Sequence, residues 1–433
     1  MADQRVPNTL LRTVREDHFQ MSRSEFAALV VTTGQQAGER VGCTARLVAA
    51  WEDGEVGWPR GVYRRLLTRL TQRPPEQLGF RPSNSPGRTI ASMIPSNAHH
   101  AGIDRRDFLL EGAGTALSVP LTALPDKSHG KIGAADVRAV DTAVSVIYGH
   151  DHDHGSAALR HDAAAALRTA YQWLQVGSYS DRTGKQLRSA IGYLSIAAGW
   201  LSCDSGQVAD ARSLYGEALA AARISDDHGL EGHAFGCLSL VARANGQPRE
   251  AITAAQAAQH SVRTYGSARM LSLFAMREAG GWALLGDSGM ADRAVVLAHS
   301  LYAKGPADAD PDWLEFYTPA ELAGLEALAR ADLAQHSRAA AGAEQAVLLH
   351  GGQFTRNRAL YQADVAIQYS IKEQPELESA VAAAGQLLTY FPDVRSERLV
   401  AQLSKAASAL ARHASVPLVA DWLAECRTVI REG

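Results

Sequence analysis

Tyr148-Gly149-His150-Asp151-His152-Asp153-His154 alternates imidazoles with acids, a donor set that could chelate a divalent metal. Histidines two and four apart share one side only on an extended segment, and no other His or Cys cluster completes a tetrahedral shell. A solvated turn ahead of the following helices is therefore expected, with no metal and no cofactor. Cys43, Cys203, Cys237 and Cys426 lie far apart without CxxC spacing, so free thiols are expected. No Gly-rich nucleotide loop, HExxH or GxSxG occurs, and no enzymatic activity is expected.

Arginine has the clearer pattern. Arg60, Arg64, Arg65 and Arg69 follow Pro59 within one helical stretch, where they could neutralise phosphates and release counterions. A solvated helical face explains each of them equally well. Residues 1–90 hold thirteen arginines and no lysine against nine acids, a charge of +4 that leaves −7 on the rest. A basic head on an acidic body points to a polyanion meeting the head alone. Further along, Tyr193, Trp200, Arg277, Arg356, Asn357 and Tyr361 mix aromatic rings with hydrogen-bonding heads. Such a set suits a small molecule or an extended peptide, with Asn clamping backbone and Arg meeting a carboxylate. Most of the aromatics read equally as inter-helix core, whereas packing does not explain Arg277, Arg356 and Asn357.

The elements that must position these residues are helical. Of the 433 residues, 46% are hydrophobic, 21% charged and only 6% aromatic. With a mean hydropathy of −0.15, that excludes wholesale disorder and a polytopic membrane protein, and favours close-packed helices. Residues 1–80 read as a five-helix unit. Asn8 caps a stripe of Leu10, Leu11 and Val14. Ser22 or Ser24 caps a helix with Phe26, Leu29 and Val30. Thr44 caps Ala45 to Glu52, which Gly54 ends as a left-handed residue. Pro59 precedes a helix with Val62, Tyr63, Leu66, Leu67 and Leu70. Gly34, Gly38 and Gly42 punctuate the stretch between the second helix and Thr44.

Residues 81–130 form a proline-broken linker. Its Asp104-Arg105-Arg106-Asp107-Phe108-Leu109-Leu110 is similar to a twin-arginine export signal, but it lies about a hundred residues in. Glu111 and Pro120 also keep its apolar run far short of the ~20 residues that span a bilayer. A joint that docks on the following domain is expected. Residues 131–433 repeat. The segments Gly206 to Ala211, Gly246 to Ala251 and Gly289 to Ala294 share a plan, and weaker copies end at Ala339 and Ala380. The alanines step by 40, 43, 45 and 41 residues, each of several copies followed seven on by another, Ala218, Ala258 or Ala346. Helix, tight turn at Gly, and helix with small residues at closest approach is the plan of the tetratricopeptide (TPR) repeat, here with a longer period. Five to six such pairs from about Ala157 to Ile430 would stack into an α-solenoid with a concave face. The expected fold is all-α, an N-terminal helix-turn-helix bundle followed by a TPR-like α-solenoid.

The motif carried by Met21-Ser22-Arg23-Ser24-Glu25-Phe26-Ala27, by Thr44-Ala45-Arg46-Leu47-Val48-Ala49-Ala50-Trp51-Glu52-Asp53-Gly54 and by Trp58-Pro59 resembles the Cro/repressor-like (XRE-family) helix-turn-helix. The resemblance implies that Thr44, Ala45, Arg46, Ala49 and Ala50 face the major groove, while Arg23 and Ser24 grip phosphate. Trp51 would then pack in the core, and Glu52 would tie the helix to a neighbouring Arg. The span from Ser24 to Gly42 is about ten residues longer than usual for the motif, which implies an insertion or a lengthened helix. Alanines leave Arg46 as the strong base reader, suited to guanine. Head plus solenoid is similar to a large actinobacterial family of XRE-type regulators with TPR-like tails, and more distantly to peptide-sensing helix-turn-helix–TPR regulators. That likeness implies a cytoplasmic, nucleoid-associated homodimer on a double-stranded DNA operator, a repressor responding to a peptide or small-molecule signal, with no membrane partner. The alternative is a protein-interaction scaffold with a weak or vestigial DNA-binding head.

Overall fold

The computed structural model describes residues 7–36, 41–54, 56–59, 61–71, 73–80, 124, 130–154, 159–264, 266–307, 309–350, 354–391, 394 and 396–432. Gly38, Arg60 and the Arg105-Arg106 stretch lie outside them. The chain divides into two units, Met1–Gly114 and Thr115–Gly433. Eighteen α-helices and no strand occur among the described residues; one isolated bridge joins Lys131 to Ser178. No helix among them is long and apolar enough to cross a membrane.

In the first unit, α1 (Thr9–Thr13), α2 (Arg23–Gln36), α3 (Ala45–Glu52) and α4 (Gly61–Thr71) are followed by a 3₁₀ turn at Pro75–Leu78. The caps are those the sequence specifies. Asn8 accepts from the Leu11 N–H and Thr44 from the Leu47 N–H. Ser22 and Glu25 form a reciprocal capping box, Glu25 N–H to Ser22 Oγ at 3.3 Å and Ser22 N–H to Glu25 Oε2 at 2.8 Å. Gly54 is left-handed, with φ +73°. At 14 residues, α2 accounts for the long span before Thr44 by lengthening. Leu11, Phe26, Val48, Trp51 and Leu67 make the core. Leu10, expected on the same stripe, is 54% exposed, because α1 lasts barely one turn and buries only Leu11.

The second unit is a stack of helix pairs. They are α5 (Ala134–His154) with α6 (Leu159–Val176), α7 (Asp181–Asp204) with α8 (Val208–Ser225), and α9 (His228–Ala244) with α10 (Pro248–Val262). Then come α11 (Ala268–Leu285) with α12 (Ser288–Tyr302), α13 (Pro319–Asp332) with α14 (His336–Leu349), α15 (Thr355–Ile371) with α16 (Leu377–Leu388), and α17 (Glu397–Leu410) with α18 (Pro417–Glu432). Seven pairs exceed the expected five to six, because α5 and α6 carry no Gly-x-x-x-x-Ala turn to announce them. The backbone of α5 is helical through His150, His152 and His154, where a turn was expected.

The repeat alanines are the contact points of the pairs. Ala211, Ala218, Ala251, Ala258 and Ala346 are fully buried, which lets two backbones approach where a larger side chain would hold them apart. Gly206, Gly246 and Gly286 have φ of +73°, +68° and +85°, giving the left-handed exit from the first helix of three pairs. In the weaker copy after α13 that position is Ala334, held at φ +56°.

Candidate functional site

Every first helix of the seven pairs contributes to one cavity of about 370 Å³ in the second unit. Tyr148 comes from α5, Trp200 from α7, His233 from α9, Arg277 from α11, Glu321 from α13, Tyr361 from α15 and Arg398 from α17. The stack bends until its ends approach, which makes a walled chamber of what the sequence predicts as an open groove. Helix α5 packs on α15 as well as on α7. Asp204, buried at the end of α7, lies 3.6 Å from the Arg356 guanidinium of α15 and 3.8 Å from that of Arg398 of α17. It also accepts from Ser396 Oγ at 3.1 Å. Across the ring, Arg243 of α9 donates to Asp332 and to the Leu328 carbonyl of α13.

The connection from Ala303 to Thr318 supplies the remaining wall. Arg269 donates to the Tyr317 carbonyl, and Ser272 Oγ hydrogen-bonds the Tyr317 hydroxyl at 2.9 Å, pinning the segment to α11. Trp313 and Phe316 thereby face the cavity, and the Trp313 ring stacks on His233 with centroids 3.6 Å apart and planes 11° from parallel. Burial pushes the His233 imidazole down to about 3, so it is neutral at physiological pH. Neither His233 Nδ1 nor Trp313 Nε1 has a hydrogen-bond partner among the described residues.

The charge on the wall is lopsided. Five cations, Arg243, Arg277, Arg356, Arg398 and Lys405, face two carboxyls, Glu321 and Asp364, with Asp204 and Asp332 behind. Burial raises both wall carboxyls, Asp364 to about 7, although Lys405, Arg243, Arg398 and a 2.7 Å hydrogen bond from Gln402 oppose it. Glu321 Oε2 accepts from Asn357 Nδ2 at 3.1 Å, and Tyr361 also hydrogen-bonds this carboxyl. Arg277 forms no ion pair or hydrogen bond with any described residue, and burial holds its pKa below the ordinary guanidinium value.

Of the six body residues picked from the sequence, Trp200, Arg277, Arg356, Asn357 and Tyr361 share this cavity. Tyr193 does not reach it and sits beside His233, centroids 6.2 Å apart. Arg356 is 2% exposed and engaged with Asp204, so its first role is closing the ring. One N–H of the Asn357 carboxamide goes to Glu321 Oε2, which leaves its second N–H and its carbonyl oxygen for another partner. Two guanidinium groups lie over the Trp200 ring, Arg356 and Arg398 at 5.5 and 5.4 Å from its centroid. Sequence reasoning missed His233, Trp313, Arg398 and Asp204. The alanine step of 45, the longest of the four, spans the Ala303–Thr318 connection and was the available signal for Trp313.

In the first unit, the outer face of α3 presents Thr44 and Arg46 exposed, with Ala45, Ala49 and Ala50 half-buried beside them. Arg46 has no ion pair among the described residues. Ser24 is exposed. Arg64 lies over the Trp58 ring at 5.0 Å. Arg23 is engaged inside the unit: its Nε donates to Glu52 Oε2 at 2.8 Å, beside Arg15 Nε to Glu52 Oε1 at 2.6 Å. Burial works to raise the Glu52 carboxyl, and the hydrogen bonds from Arg15 and Arg23 outweigh it and hold it below the usual range. Arg12 of α1 also lies 3.6 Å from Glu52, which thus ties α3 to α1, to the turn after it and to α2, and Trp51, 1% exposed, is core. All four cysteines are free thiols, and burial pushes Cys43 and Cys237 up to about 12.

No protein-family model matches the chain, and no curated protein matches it by sequence. Among solved structures it is similar to the APC/C hetero-tetramer Cut9–Hcn1, at 16% identity over 62% of this chain and 58% of that one, with a TM-score of 0.26. It is also similar to the P58(IPK) TPR domain, at 11% identity over 69% of this chain and 83% of that one, with a TM-score of 0.21. The chain thus spans less than two thirds of the length of the first of these.

Proposed function

We propose that the protein is a transcriptional regulator that binds operator DNA through its first unit and answers to a ligand held in the cavity of its second. The observation that carries DNA binding is the outer face of α3, where small side chains surround an exposed Arg46 that has no ion pair among the described residues. Small side chains let a helix lie close to base edges, and one Arg can make the bidentate contact to guanine. Ser24, Arg60 and Arg64 are the phosphate contacts of this proposal, and Thr44 faces the groove beside Arg46. A single base-reading Arg per head favours a homodimer, which would read half-sites about 34–36 Å apart. Repression in the cytoplasm, with ligand altering the spacing of two heads, completes it.

The test is selection of bound duplexes from a random pool by the intact protein at moderate salt. One enriched, two-fold symmetric sequence is expected, and Arg46→Ala lowers its affinity about 10- to 100-fold. No enrichment over competitor would sink DNA readout. A second reading, an interaction scaffold, is favoured by apolar side chains on outer helices, Leu348 at 79% and Val296 at 68% exposed.

A further inference from the structure

One arginine of the cavity wall has no ion pair or hydrogen bond among the described residues. Arg243 is engaged by Asp332, and Arg356 and Arg398 share Asp204. Lys405 is exposed at the edge of the wall. Arg277 alone of the wall arginines has no ion pair or hydrogen bond among the described residues. Glu321, the wall acid whose field reaches it, is occupied by Asn357 and Tyr361. Arg277 is half-buried and lines the cavity, so an anion entering the cavity would give its guanidinium a charge-assisted partner that the wall does not.

The rest of the lining says what the anion is attached to. His233 and Trp313 present a stacked pair of rings, and Leu273, Phe274 and Phe316 line the same cavity as Arg277. His233 Nδ1 and Trp313 Nε1, both without hydrogen-bond partners among the described residues, offer polar contacts at the edges of those rings. A volume of about 370 Å³ lies near the lower end of the range for small-molecule pockets, roughly 300–1,000 Å³. It has room for a compact flat body and too little for an extended peptide of several residues.

We propose that this cavity binds a small organic anion, a flat apolar body bearing one carboxylate, with the carboxylate seated on the Arg277 guanidinium and the rings against Trp313 and Phe274. This assignment rests on the second unit being a ligand-binding module and narrows the ligand to a class.

Calorimetric titration of the intact protein with 2-naphthoate, 2-naphthamide and 2-naphthylmethylammonium tests it. The expected order is naphthoate tightest, the amide weaker by roughly 10- to 100-fold, the value of a charge-assisted hydrogen bond, and the ammonium weakest. Arg277→Gln lowers naphthoate affinity by about that factor and leaves amide affinity unchanged, while Arg277→Lys restores part of the preference. Arg277→Gln also melts no lower than the parent, since it removes a charge that has no partner. Equal binding of naphthoate and amide, or naphthoate binding indifferent to Arg277→Gln, overturns the anion assignment and leaves a ligand cavity standing. Failure of all three to bind overturns both the assignment and the ligand-binding role of the second unit.

Discussion

Replacing Asp204 by asparagine keeps the shape at the ring closure and removes its negative charge. Two guanidinium groups, 3.6 and 3.8 Å away, lose their counter-ion. At an effective dielectric of about 20 each attraction is worth about 4 kcal/mol, and the desolvation that the buried carboxylate no longer suffers offsets part of the sum. The two arginines differ in what they can do next. Arg398, with a side chain 35% exposed, can turn to water, whereas Arg356, at 2%, stays buried without the Asp204 charge. A net loss of about 3–5 kcal/mol follows, equivalent to a fall in Tm of roughly 5–15 °C. Urea unfolding followed by circular dichroism measures it. Hydrogen exchange should locate it in the first turns of α15 and α17, where the ring parts. Adding Arg356→Met removes the stranded charge, so the double variant should regain most of the loss. Asp204→Asn within about 1 kcal/mol of the parent, or a double variant no more stable than the single one, would refute the closure.

Two further outcomes concern carboxyls of opposite behaviour. Glu52→Gln strips the acceptor charge from Arg15, which is 5% exposed, and should destabilise the first unit by about 3–5 kcal/mol. Because the Glu52 pKa is depressed, its stabilisation is present above the ordinary carboxylate range and disappears as pH falls below it. The gap between parent and variant should therefore close in acid, and an unchanged gap would contradict the tie. Asp364 runs the other way: its carboxyl is raised from 3.8 to about 7, so the folded chain holds a proton that the unfolded chain releases. Stability then falls as pH rises through that window. Arg243 of α9, Arg398, Gln402 and Lys405 of α17, and Tyr361 of its own helix surround it. Asp364→Asn should gain about 2–3 kcal/mol on the parent between pH 5 and pH 8, read from denaturant midpoints, with the His233 contribution cancelling in the difference. A gap independent of pH would show that Asp364 ionises normally.

Much of this architecture is legible in the chain because it rests on local rules. Asn8, Ser22 and Thr44 declare helix starts through capping chemistry, and Gly206 and Gly246 declare turns through a left-handed backbone, whereas the third turn is made by Gly286 and the expected Gly289 lies inside α12. The alanines one repeat apart declare close helix packing. Closure of the ring is not written locally: Asp204 and Arg356 stand some four repeats apart, and no period links them. Arg277 was recognisable as a polar residue that packing leaves unexplained, and Arg356 looked the same although it serves the closure. His233 read as an ordinary helical residue, since its importance comes from Trp313, on a connection outside the repeat. In the head, Arg23 resembled a phosphate contact by motif position, but the nearby buried Glu52 engages it.

The most direct test of the cavity is crystallographic: the intact protein crystallised with 2-naphthoate. The account predicts the naphthyl ring against Trp313 and Phe274, and a carboxylate oxygen within about 3 Å of the Arg277 guanidinium. A carboxylate turned away from Arg277, or a ring bound outside the chamber formed by the seven first helices, would contradict it.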